Sequence, residues 1–204
     1  MKTDVIRITA SGSGIEEALE QTEKAAVYRG LEPKQALRLR LLAEEMMGML
    51  RTIVGDTQYD YWVETEGKAF FLHLAVETLV NSEMRKELLK SASSGENAAA
   101  VGIMGKLRDV FTRMYEPDKS GMSPLAYGFY STDIDGLGPG MSQVGQGMMY
   151  GWSLSEYRNA IEANKEEDAE EWDELERSIT ANLADEVKIY IRDKNVEMVV
   201  EKKF

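Results

Sequence analysis

The chain has 204 residues, 43% of them apolar and 29% charged, with a formal net charge of −12. That balance suits one sizeable domain with a real core and argues against disorder. No Lys/Arg cluster forms a basic face, which excludes nucleic acid and anionic membranes as partners, and the absence of cysteine removes disulfides, thiolate metal sites and thiol nucleophiles.

The first predicted element is a strand over residues 3–9, "TDVIRIT", by strict alternation. The opening segment lacks the continuous apolar run of a signal peptide, and no stretch approaches membrane-spanning length, so a cytoplasmic protein is expected. "SGSG" then turns into a helix, with Ser13 as its expected cap and Glu16 in capping-box position. The helix should stop at Gly30, and Pro33 should open a second one running to about Val54. On that second helix, Leu37, Leu41, Leu42, Met46, Met49, Leu50 and Ile53 form the expected buried stripe. Within it, "RLLAEEMMGML" sets Glu44 and Glu45 among apolar residues. Two readings stay open: both acids lie on the wet side of an amphipathic helix, or one faces a pocket and does chemistry.

"YDYWVETEG" and "KAFFLHLAVET" predict a hairpin cornered at Glu66-Gly67-Lys68. His73, the single histidine, lies in the second strand and reads as a packed strand residue; alone, it argues against a multi-histidine metal site or a Ser-His-Asp triad. Helices are expected at about 82–92 and in "VGIMGKLRDVFTRMY". Residues 116–152, rich in Gly, Pro and Met, read as an irregular insertion. Ser153, with Glu156 three residues on, should cap an acidic helical segment over about 153–184, broken once. Two C-terminal strands, "VKIYIRD" and "VEMVVEKK", close the chain. Strands in pairs and helices in runs predict a single α+β domain, a two-layer sandwich with helices on one face of a mixed, largely antiparallel sheet.

This order, with the helix "LRLLAEEMMGMLRTIVG", the hairpin "DYWVETEGKAFFLHLAVE", the segment "SSGENAAAVGIMGKLRDVF" and the closing strand "DEVKIYI", resembles the GHKL superfamily of ATP-binding domains. The nearest likeness is to anti-sigma-factor serine kinases and histidine-kinase ATPase domains. In that family a Glu on the second helix activates the attacking group and an Asn four residues later ligates Mg²⁺. The resemblance makes Glu45, alternatively Glu44, the catalytic candidate. It makes Glu77, Thr78 and Asn81 the altered adenine-binding turn, and Gly95, Asn97, Gly102 and Gly105 the lid region; ATP is the implied cofactor.

The chain departs from the family where the metal binds. The Asn position is Met49, or Gly48 if Glu44 is the match, and neither supplies the hard oxygen that Mg²⁺ takes. The family's Asp-x-Gly-x-Gly turn is replaced by Glu77-Thr78-Leu79-Val80-Asn81. "DIDGLGPGM" at 133–141 looks superficially like that turn, but Asp135 precedes Gly136 directly, and it is read as part of the insertion. The resemblance therefore implies a regulatory protein with weakened ATP binding that acts through a protein partner, with a homodimer expected. The alternative is an active ATP-dependent serine/threonine protein kinase in which Asn81 or Asn97 supplies the metal oxygen.

Overall fold

A computed structural model describes residues 1–54, 57–77, 129–131, 150–163, 178–192 and 195–204. In chain order these form β1 (Ile6–Ile8), α1 (Ile15–Tyr28), α2 (Pro33–Val54), β2 (Tyr59–Glu66), β3 (Ala69–Glu77), β4 (Phe129–Ser131), β5 (Tyr150–Ser153), α3 (Leu154–Ala163), α4 (Ile179–Leu183), β6 (Glu186–Arg192) and β7 (Asn195–Lys203). The fold is α+β, a helical layer on one face of a sheet. Among the described residues the sheet has seven strands in the order β1-β2-β3-β7-β6-β5-β4. Each of its six neighbouring pairs is antiparallel.

Local sequence sets most of the boundaries. The turn at Gly67–Lys68 joins β2 to β3 and places Glu66 opposite Ala69. Helix α1 ends in a Schellman pair: the Leu31 N–H donates to the Ala26 carbonyl and the Gly30 N–H to that of Val27. That closure needs Gly30 at φ 76°, which a residue without Cβ adopts freely. Pro33 opens α2, and the Ser153 hydroxyl accepts from the Glu156 N–H at 3.2 Å to cap α3.

The expected cap at Ser13 is not what the structure uses. The N-cap of α1 is Gly14, at φ 97°, with no side-chain cap bond. Ser13 is spent one residue earlier, its carbonyl accepting from the Thr9 N–H in the turn that leaves β1. A Cβ on Gly14 would sit 2.7 Å from the Arg7 carbonyl oxygen, so the crossing from β1 into α1 demands glycine there.

Most of the expected stripe of α2 is buried, namely Leu42, Met46, Met49 and Leu50, but Leu37 and Leu41 are not. Leu37 is 62% exposed and Leu41 37%, whereas Leu39, Leu42, Ala43, Met46 and Leu50 are buried. At about 100° per residue, Leu37 and Leu41 each stand roughly 160° from Leu39, on the far side of the helix. The apolar residues of α2 wrap almost the whole cylinder, so their chemistry alone does not fix which arc faces inward. The side chain of Ile53 lies outside the described residues.

The core lies between helices and sheet. Leu39, Met46 and Leu50 of α2 meet Phe70, Leu72 and Leu74 of β3 and Val196, Met198 and Val200 of β7 in one buried cluster, with Tyr157 and Ile161 of α3 joining it. Inside it Tyr61 donates to the Thr22 hydroxyl at 2.6 Å, which itself donates to the Ala18 carbonyl, so α1 is tied to β2 without a buried polar group left over. Burial holds the Tyr61 phenol well above its ordinary range.

Two strands fall inside the segment expected to be irregular. β4 and β5 extend the sheet beyond β6, with Trp152 opposite Ile189 and almost fully buried. Strands of three and four residues are too short to show alternation. The helices expected at 82–92 and in "VGIMGKLRDVFTRMY", and the acidic block at 166–176, lie outside the described residues.

The phase of α2 is open to direct measurement. Leu39→Ala should lower unfolding free energy by about 2–5 kcal/mol, and Leu37→Ala by no more than about 0.5 kcal/mol, in urea titrations of dilute protein. Equal costs would mean that the helix is rotated from the orientation described.

Candidate functional site

The residues singled out by the sequence separate in space. Glu44 is exposed and Glu45 half-buried. They stand roughly 140° and 120° from Leu39 in opposite senses, straddling the wet side of α2. Glu77 is the last residue of β3 and exposed. It alternates onto the sheet face of His73 and Ala75, while Val76 turns into the core shared with α2. Thr78, Asn81, Gly95, Asn97, Gly102 and Gly105 lie outside the described residues.

The position four residues after Glu45 is packed. Met49 is 8% exposed, and its sulfur accepts from the Thr180 hydroxyl of α4 at 3.9 Å. The thioether thus serves the α2–α4 contact. Gly48, four after Glu44, has no side chain and lies on the exposed side. Further along α2, Arg51 borders a hollow with Thr9, Gly12, Ile15 and Tyr59. Its volume is about 10 Å³, room for about one water. Burial pushes the Tyr59 phenol up, against the nearby Arg51 charge, which pulls it down.

The most developed polar arrangement lies on the other face of the sheet. Register sets Trp62 of β2 opposite His73 of β3, and His73 opposite Val199 of β7. All three are nine-tenths buried or more, yet Trp62, His73 and Val199 stand apart from the main core cluster. The Trp62 and His73 rings stack at 4.8 Å with 9° between their planes. His73 Nδ1–H donates to Glu197 Oε1 at 2.9 Å, and buried Nε2 has no partner. A carboxylate on one imidazole nitrogen fixes the ring's orientation and leaves the other nitrogen as the one that can act.

Around this pair, Trp62 Nε1–H donates to Glu64 at 3.0 Å, Lys2 Nζ approaches Glu64 at 3.1 Å, and the same ammonium lies 4.6 Å from the Trp62 ring centroid. Burial pushes the Glu64 carboxyl up, but the hydrogen bonds from Lys2 and Trp62 outweigh it, and the net shift is downward. Among the described residues no group of three or more acidic or histidine side chains is arranged to hold a metal ion.

Sequence reading found His73 but not its partners. Trp62 and Glu64 share a strand face with period two, which is visible locally. Glu197 is 124 residues away from His73, and only strand pairing brings it there.

No family model, curated protein or solved structure matches this chain. Among the described residues no helix is long and apolar enough to cross a membrane.

Glu197→Ala strands the buried Nδ1–H and should cost about 1–3 kcal/mol. His73→Ala in the Glu197→Ala background should then cost less than in the wild type, because their shared bond is already gone; a double-mutant cycle in urea reads that coupling. Acid stability gives a second check. Since the Glu64 pKa is lowered by folding, it contributes stability that is present above the unfolded value and lost as pH falls through the folded one. Glu64→Gln should therefore flatten the decline of unfolding free energy below about pH 4.

Proposed function

We propose that the chain is a regulatory protein of GHKL-like design, with weakened nucleotide chemistry, that acts in the cytoplasm through a protein partner. The observation that carries the reading is Met49. In the resembled family, the residue four positions after the helix glutamate brings an oxygen to Mg²⁺. Here that slot holds a buried thioether committed to Thr180 and the packing of α4. A soft sulfur inside a helix–helix contact offers nothing to a hard cation. Without a metal, the triphosphate charge lacks its main neutralising partner and phosphoryl transfer its main electrostatic support.

The surface charge supports a protein partner over a polyanion. At −12 the chain repels nucleic acid and anionic lipid at long range. Large apolar side chains also remain exposed on α1, Val27 and Tyr28. Glu45, half-buried on the flank of α2, is the acid that a residual nucleotide site would use.

Thermal unfolding with millimolar ATP, with and without Mg²⁺, tests the reading. Weakened chemistry means no stabilisation that depends on the metal. Met49→Asn should not create one either, and should lower stability by about 3 kcal/mol, because it puts an amide where the α2–α4 contact wants apolar volume. A magnesium-dependent rise in Tm for the wild type would overturn the proposal in favour of an active kinase.

A further inference from the structure

The outward side of α2 carries a pattern that its role in the core does not use. Lys34, Leu37, Leu41, Glu44 and Gly48 are all exposed, and their spacing runs three, four, three, four. That is the spacing of a helix–helix seam. At about 100° per residue they fall on one side, opposite Leu39 and Met46. Among the described residues nothing packs over its leucines: Leu37 is 62% exposed and Leu41 37%, and a Cβ built on Gly48 would meet no atom within 4 Å. Glycine in mid-helix is destabilising relative to alanine, and one on an open face leaves room for a close neighbour.

The charges along this side are ordered. Lys34 and Arg38 lie toward the helix N-terminus, Glu44 and Glu45 toward its middle. Arg40 is already engaged, with Glu16 at 2.8 Å and Glu23 at 3.5 Å across to α1. A second α2 laid parallel would set like charges side by side. Laid antiparallel about a two-fold axis near Leu41, it sets Leu41 against Leu41, with Leu37 a turn away. At about 1.5 Å rise per residue, Arg38 then lies within about 2 Å of the height of Glu44 and Glu45 in the second copy, and Lys34 level with its Gly48. Arg51 falls beyond the start of the opposing helix.

We propose that this side of α2 is a two-fold, antiparallel self-association surface whose partner is a second copy of this chain. The self-complementary charge order selects that occupant, since an isologous contact must satisfy the same surface twice. It stands independently of the regulatory reading, because self-association requires neither nucleotide nor a further protein. One helix pair buries less than the roughly 1,200 Å² of a standard interface, so the dimer is weak and should form at micromolar concentration or above.

Sedimentation equilibrium of the full chain from low micromolar to millimolar concentration should show a monomer–dimer equilibrium. Leu41→Glu and Arg38→Glu should each weaken it at least about tenfold, while circular dichroism and Tm of the dilute protein stay at wild-type values because both sites are exposed in the single chain. The Glu44→Arg/Glu45→Arg variant should likewise fail to pair with itself. Mixed with Arg38→Glu it should form a heterodimer, because the unchanged Arg38 of one chain then meets the unchanged Glu44 and Glu45 of the other, and the two substituted sites meet with their charges reversed. A chain that stays monomeric throughout, or a dimer that survives Leu41→Glu, overturns the proposal, as does the absence of rescue in the mixture.

Discussion

The fold depends on the insertion of its last strand into the middle of the sheet. β7 pairs with β3 on one side through nine residues, from Asn195 opposite Glu77 to Lys203 opposite Ala69, and with β6 on the other. Without it, β1-β2-β3 and β6-β5-β4 would be two separate ribbons. Each of its faces has a distinct task. Val196, Met198 and Val200 fill the core beneath α2, while Glu197 and Val199 complete the cluster around His73 on the far side. A strand that serves both faces at once has its register fixed twice, since a slip by one residue would exchange a carboxylate for a valine in the core.

The two faces differ in what holds them. On the helical side the contacts are apolar and extensive, with one satisfied hydroxyl pair at Thr22 and Tyr61. On the other side a stacked ring pair, a cation over an aromatic face and two carboxylates make a smaller, more polar arrangement. Polar contacts of this kind are directional, so they fix orientation more sharply than they add stability. His73, read from sequence as a packed strand residue, is packed, and it is also the residue where three strands meet.

Helix α2 mediates between core and surface. Its inner side carries Leu39, Met46 and Leu50 against the sheet, Met49 takes the contact with α4, and its outer side carries Leu37, Leu41 and the paired acids. Whether Glu44 or Glu45 had a special environment was the sharpest question the sequence posed. Glu44 lies open to water, and Glu45 on the flank is the more sheltered of the two. The neighbouring Met49 is taken up by its contact with Thr180.

Much of the element order was legible in the sequence, because boundaries are written locally. Gly30 and Pro33 separate the first two helices and Gly67 turns the hairpin through backbone geometry, and Ser153 caps α3 through its hydroxyl, each a matter of one or two residues. The α+β class follows from that order. The full arc of α2 was not legible: Leu42, Met46, Met49 and Leu50 are buried as expected but Leu37 and Leu41 are exposed, since apolar residues lie around most of the circumference and only the sheet selects among them. Nor were β4 and β5, whose few residues carry no periodicity, nor the contact of His73 with Glu197. Among the described residues, the sequence by itself determined the helices and the strands other than β4 and β5, and where most of them stop. Tertiary structure alone decided strand order, the face each side chain occupies and the partners of His73, because hydrogen-bonded pairing between distant strands leaves no trace in the local pattern of either one.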